Sequence, residues 1–154
     1  MIAMPVLAAA GLFAAAPGAA GADPAPPPAE TGQVSLTVTG LRSTKGRVMA
    51  CLTARPGAFP DCAKDPQARL ASVPATAASV RLEFGAVPPG RYAISAFHDE
   101  NGNGRLDKSL MIPREGYGFS RDAPVRFGPP SFASAAFAVI AGAQQQTLRM
   151  RYMF

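Results

Sequence analysis

The chain has 154 residues, with Lys+Arg 15 against Asp+Glu 10, a formal net charge of +5, and Gly 15 and Pro 16 together make up about a fifth of it. This excludes a second large domain, since one domain takes roughly 100–200 residues, and a helical bundle, since no long stretch escapes Gly and Pro. Hydrophobic residues at 48% are enough for a core, which excludes global disorder.

Residues 1–22 read as a secretory signal peptide. Ile2–Ala16 is almost wholly apolar, interrupted by Pro5 and Gly11, and Ala20-Gly21-Ala22 before Asp23 fits a cleavage site. The run carries no Lys or Arg, so the α-amino group alone supplies the positive end. A buried Ala-rich helix is the alternative. The run is shorter than the about 20 apolar residues of a membrane span, so no span is expected in the mature chain, which is expected to be periplasmic or secreted. Residues 23–32, with Pro26-Pro27-Pro28, read as a solvated linker. Residues 33–154 read as one β-sandwich domain.

Strands follow in chain order. In Gln33–Thr39, Val34, Leu36 and Val38 alternate with Ser35, Thr37 and Thr39, the period of a half-buried strand. Gly46–Thr53 sets Val48, Ala50 and Leu52 opposite Met49 and Cys51. Cys51 and Cys62 are the two cysteines, and Pro56-Gly57 and Pro60 loop the chain between them. In an exported chain such a pair is expected as a disulfide, because the spacing is too wide for a C-x-x-C redox site. Ala63–Leu70 offers a short helical turn limited by Pro66. Val80–Phe84 alternates cleanly, Pro88-Pro89-Gly90 turns, and Arg91–His98 is the next strand. Val125–Phe127 reads as a short edge strand and Ala135–Ile140 as strand or buried turn. Gln146–Tyr152 sets Leu148, Met150 and Tyr152 against Arg149 and Arg151. The sum is an all-β fold, a single immunoglobulin-like or prealbumin-like β-sandwich of about seven strands.

Residues 98–107, HDENGNGRLD, carry the most chemistry. Oxygen side chains recur at Asp99, Asn101, Asn103 and Asp107, Gly104 stands at the sharp turn, and Arg105 stands where a backbone carbonyl would coordinate. The pattern resembles the first nine positions of an EF-hand calcium loop. Ca2+ is therefore the cofactor this segment would take. The twelfth position is Leu110 instead of the bidentate Glu, and no flanking helix is expected, so Glu100, Glu115 or water would have to complete the shell. The competing reading is a turn stiffened by Asx hydrogen bonds that binds nothing. His98, the one histidine, sits beside Asp99, but adjacent strand residues face opposite ways, so a structural role is expected. Further on, Glu115, Tyr117 and Phe119 form a candidate recognition loop; the alternative is a core-covering loop in which Tyr117, Phe119, Phe127 and Phe132 fold over the sheet.

The exported start together with HDENGNGRLD, IPREGYGFS and FGPPSF resembles a family of small exported bacterial proteins known only as a domain of unknown function. The likeness runs from about Val34 to Tyr152. It implies a β-sandwich of prealbumin-like or carboxypeptidase-regulatory type and no established activity, so no catalytic residue is carried over; the cysteine pair is not part of the likeness.

Three functions fit these residues. The leading one is an exported, non-enzymatic binding module for an envelope protein or glycan, with the calcium-like loop at 99–107 in its site. The second is an envelope hydrolase using Asp99, Asp107 and Glu115, with His98 nearby. The third is a structural accessory module. The cations are mostly Arg, spread from Arg42 to Arg151 with no run of three. Such a spread points away from nucleic acid and leaves a weak attraction to anionic envelope surfaces.

Overall fold

The computed structural model describes residues 30–154 together with Ala25 and Pro27. The expected signal peptide, residues 1–22, and half of the 23–32 linker lie outside the described residues. The fold is all-β. Strands β1 (Gly32–Thr39), β4 (Val80–Val87) and β10 (Gly142–Arg149) form one sheet in the order β10-β1-β4. Strands β2 (Arg47–Thr53), β3 (Arg69–Pro74), β5 (Gly90–Asp99) and β8 (Gly116–Phe119) form the second in the order β3-β2-β5-β8, and β9 (Phe137–Val139) pairs with the start of β5. A small hairpin, β6 (Lys108–Ser109) with β7 (Ile112–Pro113), projects between β5 and β8 in sequence. One helical turn, Phe132–Ala135, precedes β9.

The alternating residues sit where period two places them. Val34, Leu36 and Val38 from β1, Leu82 from β4 and Leu148 from β10 meet Val48, Leu52 and Ile94 of the other sheet in one core, each at 1% exposure or less. Burial of this kind supplies roughly 1.5–3 kcal/mol per large apolar side chain. The β1–β10 pair is parallel, with Val38 opposite Leu148, whereas β1 and β4 are antiparallel.

A second, smaller core lies on the far face of the five-stranded sheet. Ala93 of β5 and Tyr117 and Phe119 of β8 pack there with Ala123, Ala135, Phe59 and Phe132. The Phe59 ring stands edge-on to Phe119 at 5.7 Å and to Phe132 at 6.1 Å. Phe59 is brought there by the segment that the Cys51–Cys62 disulfide closes, with Cα atoms 6.4 Å apart.

Several sequence expectations change. Val125–Phe127 is not an edge strand: Pro124 and Gly128-Pro129-Pro130 hold it in bends, Val125 tucks partly into the second core, and Phe127 is fully exposed instead of folding over the sheet. Ala63–Leu70 forms irregular turns and no helical segment, and its last two residues open β3. That strand was not expected, because it lies at a sheet edge with Leu70 exposed and shows little apolar alternation. The segment 116–119, expected as irregular, is a paired strand. Its Gly-Tyr-Gly-Phe order has a mechanical reason. A Cβ on Gly116 would lie 2.4 Å from the Tyr152 ring, and one on Gly118 would lie 2.7 Å from Leu148, so the bare face lets β10 and the following residues press against β8.

Removing the disulfide tests how far the short loop is restrained. Chain-entropy arithmetic for a loop this size predicts a loss of about 3 kcal/mol in a Cys51→Ala/Cys62→Ala variant, read as a lower urea midpoint.

Candidate functional site

The site is built on the end of β5. This strand carries His98 and Asp99 into the interior, at 0% and 1% exposure, before the chain leaves the sheet. A buried carboxylate is costly unless it is hydrogen-bonded. Asp99 accepts from the backbone N–H of Asn103 at 3.1 Å and of Gly104 at 2.8 Å. Glu115, also buried, accepts from the N–H of Glu100 at 2.9 Å and of Asp107 at 3.1 Å, which fastens both ends of the loop. Inside it, Asn101 Oδ1 accepts from Asn103 N–H and Asn103 Oδ1 from Arg105 N–H, two consecutive Asx turns. Both asparagines turn their NH2 groups to Asp107, and these hydrogen bonds, Asn103's first, hold its carboxyl below the ordinary range.

Calcium can be tested against this geometry. The carbonyl oxygens of Asn101 and Asn103 are occupied by backbone donors, and it is their amide donors that face Asp107. A hard cation wants oxygens converging on one centre; here Asp99 points at backbone N–H groups and Asp107 at amides. Among the described residues no group of three His, Cys, Asp or Glu converges as a metal site. In this arrangement Asp99, Asn101, Asn103 and Asp107 are satisfied by donors of the loop itself, as in a turn stiffened by Asx hydrogen bonds.

Beside the loop lies a compact cluster. His98 Nε2 faces the Lys45 carbonyl at 2.7 Å; a carbonyl only accepts, so Nε2 carries the hydrogen. Nδ1 then accepts from the Tyr152 hydroxyl at 2.8 Å. Burial pushes the Tyr152 phenol pKa up. The Arg42 guanidinium lies 4.4 Å over the Tyr152 ring and donates to both carboxylate oxygens of Glu100, at 3.0 and 2.6 Å. That grip, helped by Ser43, pulls the Glu100 carboxyl down to about 2. Gly46, at φ +66°, allows the β1–β2 loop to reach β5, because a Cβ there would sit 1.8 Å from the Asp99 carbonyl.

An open groove of about 660 Å3 runs between Lys45, Glu100, Asp107, Lys108, Arg114 and Glu115. Its acids are engaged from within the protein. Among the described residues Lys45, Lys108 and Arg114 have no acid within 4.0 Å, and their side chains donate no hydrogen bond. The sequence reading missed these three cations and Arg42. The one signal was the polar stretch's switch to Leu110-Met111-Ile112 between Lys108 and Arg114. Of the residues it did single out, Glu115 closes the loop, whereas Tyr117 and Phe119 turn into the second core.

Two predictions follow from this geometry. Glu100 is depressed from 4.5 to about 2, so its contribution is full above pH about 4.5 and is lost as pH falls towards 2. Glu100→Gln is therefore expected to cost about 1 kcal/mol at neutral pH, after allowance for screening of an exposed arginine, and nothing near pH 2, read by thermal unfolding across that range. Gly46→Ala combines a left-handed φ with a backbone clash and is expected to cost more than about 2 kcal/mol in the same assay.

No curated protein and no solved structure matches the chain. A match does come from the sequence profile of a family described as uncharacterized proteins conserved in bacteria, DUF2141, and it spans residues 36–147. That span runs from the middle of β1 nearly to the end of β10 and takes in both sheets, the Asx loop and its closing Glu115: the chain belongs to this family.

Proposed function

We propose that the protein is an exported, non-enzymatic binding module on a prealbumin-like β-sandwich, acting in the periplasm or after secretion. Its ligand face is the end made by the β1–β2 loop, the Asx loop and the β6–β7 hairpin, and it takes an anionic group. The observation that carries this reading is the asymmetry of the groove: every acid is engaged from inside, while Lys45, Lys108 and Arg114 are exposed and, among the described residues, have no acidic partner. An incoming carboxylate or phosphate meets cations that need no prior bond broken.

A hydrolase is less well supported. Asp99 and Glu115 are buried and each accepts two backbone N–H groups, Asp107, which does line the groove, is held by the amides of Asn101 and Asn103, and both His98 nitrogens are engaged, so among the described residues no unengaged general base faces the groove. Export rests on the apolar start and the Ala20-Gly21-Ala22 pattern. Among the described residues no helix is long and apolar enough to cross a membrane.

The test is retention on a dextran sulfate column. Lys108→Glu/Arg114→Glu is expected to elute at clearly lower salt than Arg91→Glu/Arg126→Glu, which removes the same charge elsewhere. Equal elution of the two variants would reduce the interaction to net charge and defeat the reading. A parallel calcium titration is expected to leave the melting temperature unchanged; a saturable rise lost in Asp99→Ala would instead make the loop an ion site.

A further inference from the structure

The β6–β7 hairpin breaks the rules that govern such turns. Ser109 pairs with Ile112, which leaves Leu110 and Met111 as a two-residue connection, at φ +49° and +70°. Two positive φ values in succession call for Asn-Gly or a similar pair. Leucine and methionine gain nothing from the fold in return, because they are 93% and 86% exposed. A conflict between local preference and observed conformation, at a place that buries nothing, marks a functional surface.

Its surroundings say what that surface meets. Lys108 opens the hairpin and Arg114 follows it, and both lack an acidic partner among the described residues. Phe154, itself 70% exposed, shares a second groove with Ser109, Arg114 and Arg42, so a further apolar side chain stands beside the hairpin's base. An apolar tip with Lys108 and Arg114 exposed at its base, the neighbouring Asp107 and Glu115 being engaged from within the loop, matches the layering of an anionic bilayer, with phosphates outermost and acyl chains beneath. A soluble polyanion would use the cations and leave the apolar tip unexplained.

We infer that this hairpin is a membrane-surface anchor: Leu110 and Met111 enter the headgroup boundary of an anionic bilayer while Lys108 and Arg114 engage lipid phosphates. The inference rests on the ligand face proposed above and names the partner of that face. The protein stays peripheral, since the tip is two residues deep.

The experiment is co-sedimentation with phosphatidylglycerol-containing vesicles, using neutral phosphatidylcholine vesicles as the comparison. The wild type is expected to sediment with the first and not the second. The key variant is Leu110→Asn/Met111→Gly, which supplies the residues the turn prefers and should fold at least as well as the wild type, with an equal or higher melting temperature. It is expected to lose tenfold or more in vesicle partitioning while keeping its retention on dextran sulfate. The sequence has no Trp, so Met111→Trp gives a single reporter, expected to shift to the blue on anionic vesicles and to be quenched by bromine-labelled acyl chains. Vesicle binding unchanged in Leu110→Asn/Met111→Gly would overturn the inference, as would a wild type left in the supernatant. If the wild type ignores vesicles but is retained on dextran sulfate through Lys108 and Arg114, the anchor fails and the anionic-ligand face stands. If it is retained on neither, both fall.

Discussion

Two carboxylates inside a protein must find donors, and this requirement shapes one end of the molecule. Asp99 and Glu115 are nearly without exposure, and both are answered by main-chain N–H groups of the same loop. The loop therefore cannot open without stranding a buried charge, which costs more than the hydrogen bonds themselves are worth. Everything mounted on it inherits that rigidity. The Asx turns at Asn101 and Asn103 brace its outer rim, and the hairpin springs from that braced loop.

The second brace is aromatic. Tyr152 reaches over the bare face of Gly116, hydrogen-bonds His98 and carries Arg42 on its ring, and Arg42 in turn holds Glu100. One side chain thus links the residues after β10, the last strand of the second sheet and the loop after β5. His98 works as a post in this frame: both ring nitrogens are committed and the ring is sealed from solvent. A lone histidine beside an aspartate reads in sequence as potential chemistry; its burial turns it into architecture.

The sequence was most informative where one face of a strand meets the core and the other meets water. β1, β2, β4 and β5 all announce themselves through apolar alternation, and the disulfide through the cysteine count. β3 stayed hidden because an edge strand with an exposed Leu70 buries too little to leave a period. β8 stayed hidden because two of its four residues are glycines, and the information lies in what presses against them. For the loop at 99–107, the spacing of oxygens was legible, but the direction each amide turns was not: Asn101 and Asn103 turn their NH2 groups to Asp107 and their oxygens to backbone N–H groups. The hairpin was illegible for the opposite reason, since Leu110-Met111 is the last pair that turn chemistry would nominate.

The parallel pairing of β1 with β10 bears on how the molecule assembles. β1 is the middle strand of its sheet, with β4 on one side and a strand from the far end of the chain on the other. Until β10 arrives, β1 has only β4 beside it and an open edge on the other side, and Val38 lacks its neighbour Leu148. Pairings this distant in sequence close large loops and are slow to form. The antiparallel β2–β5 sheet, whose strands lie closer together, can order first. On refolding, the β1–β10 ladder would then be the last pairing to close, after the antiparallel ladder of β2 and β5.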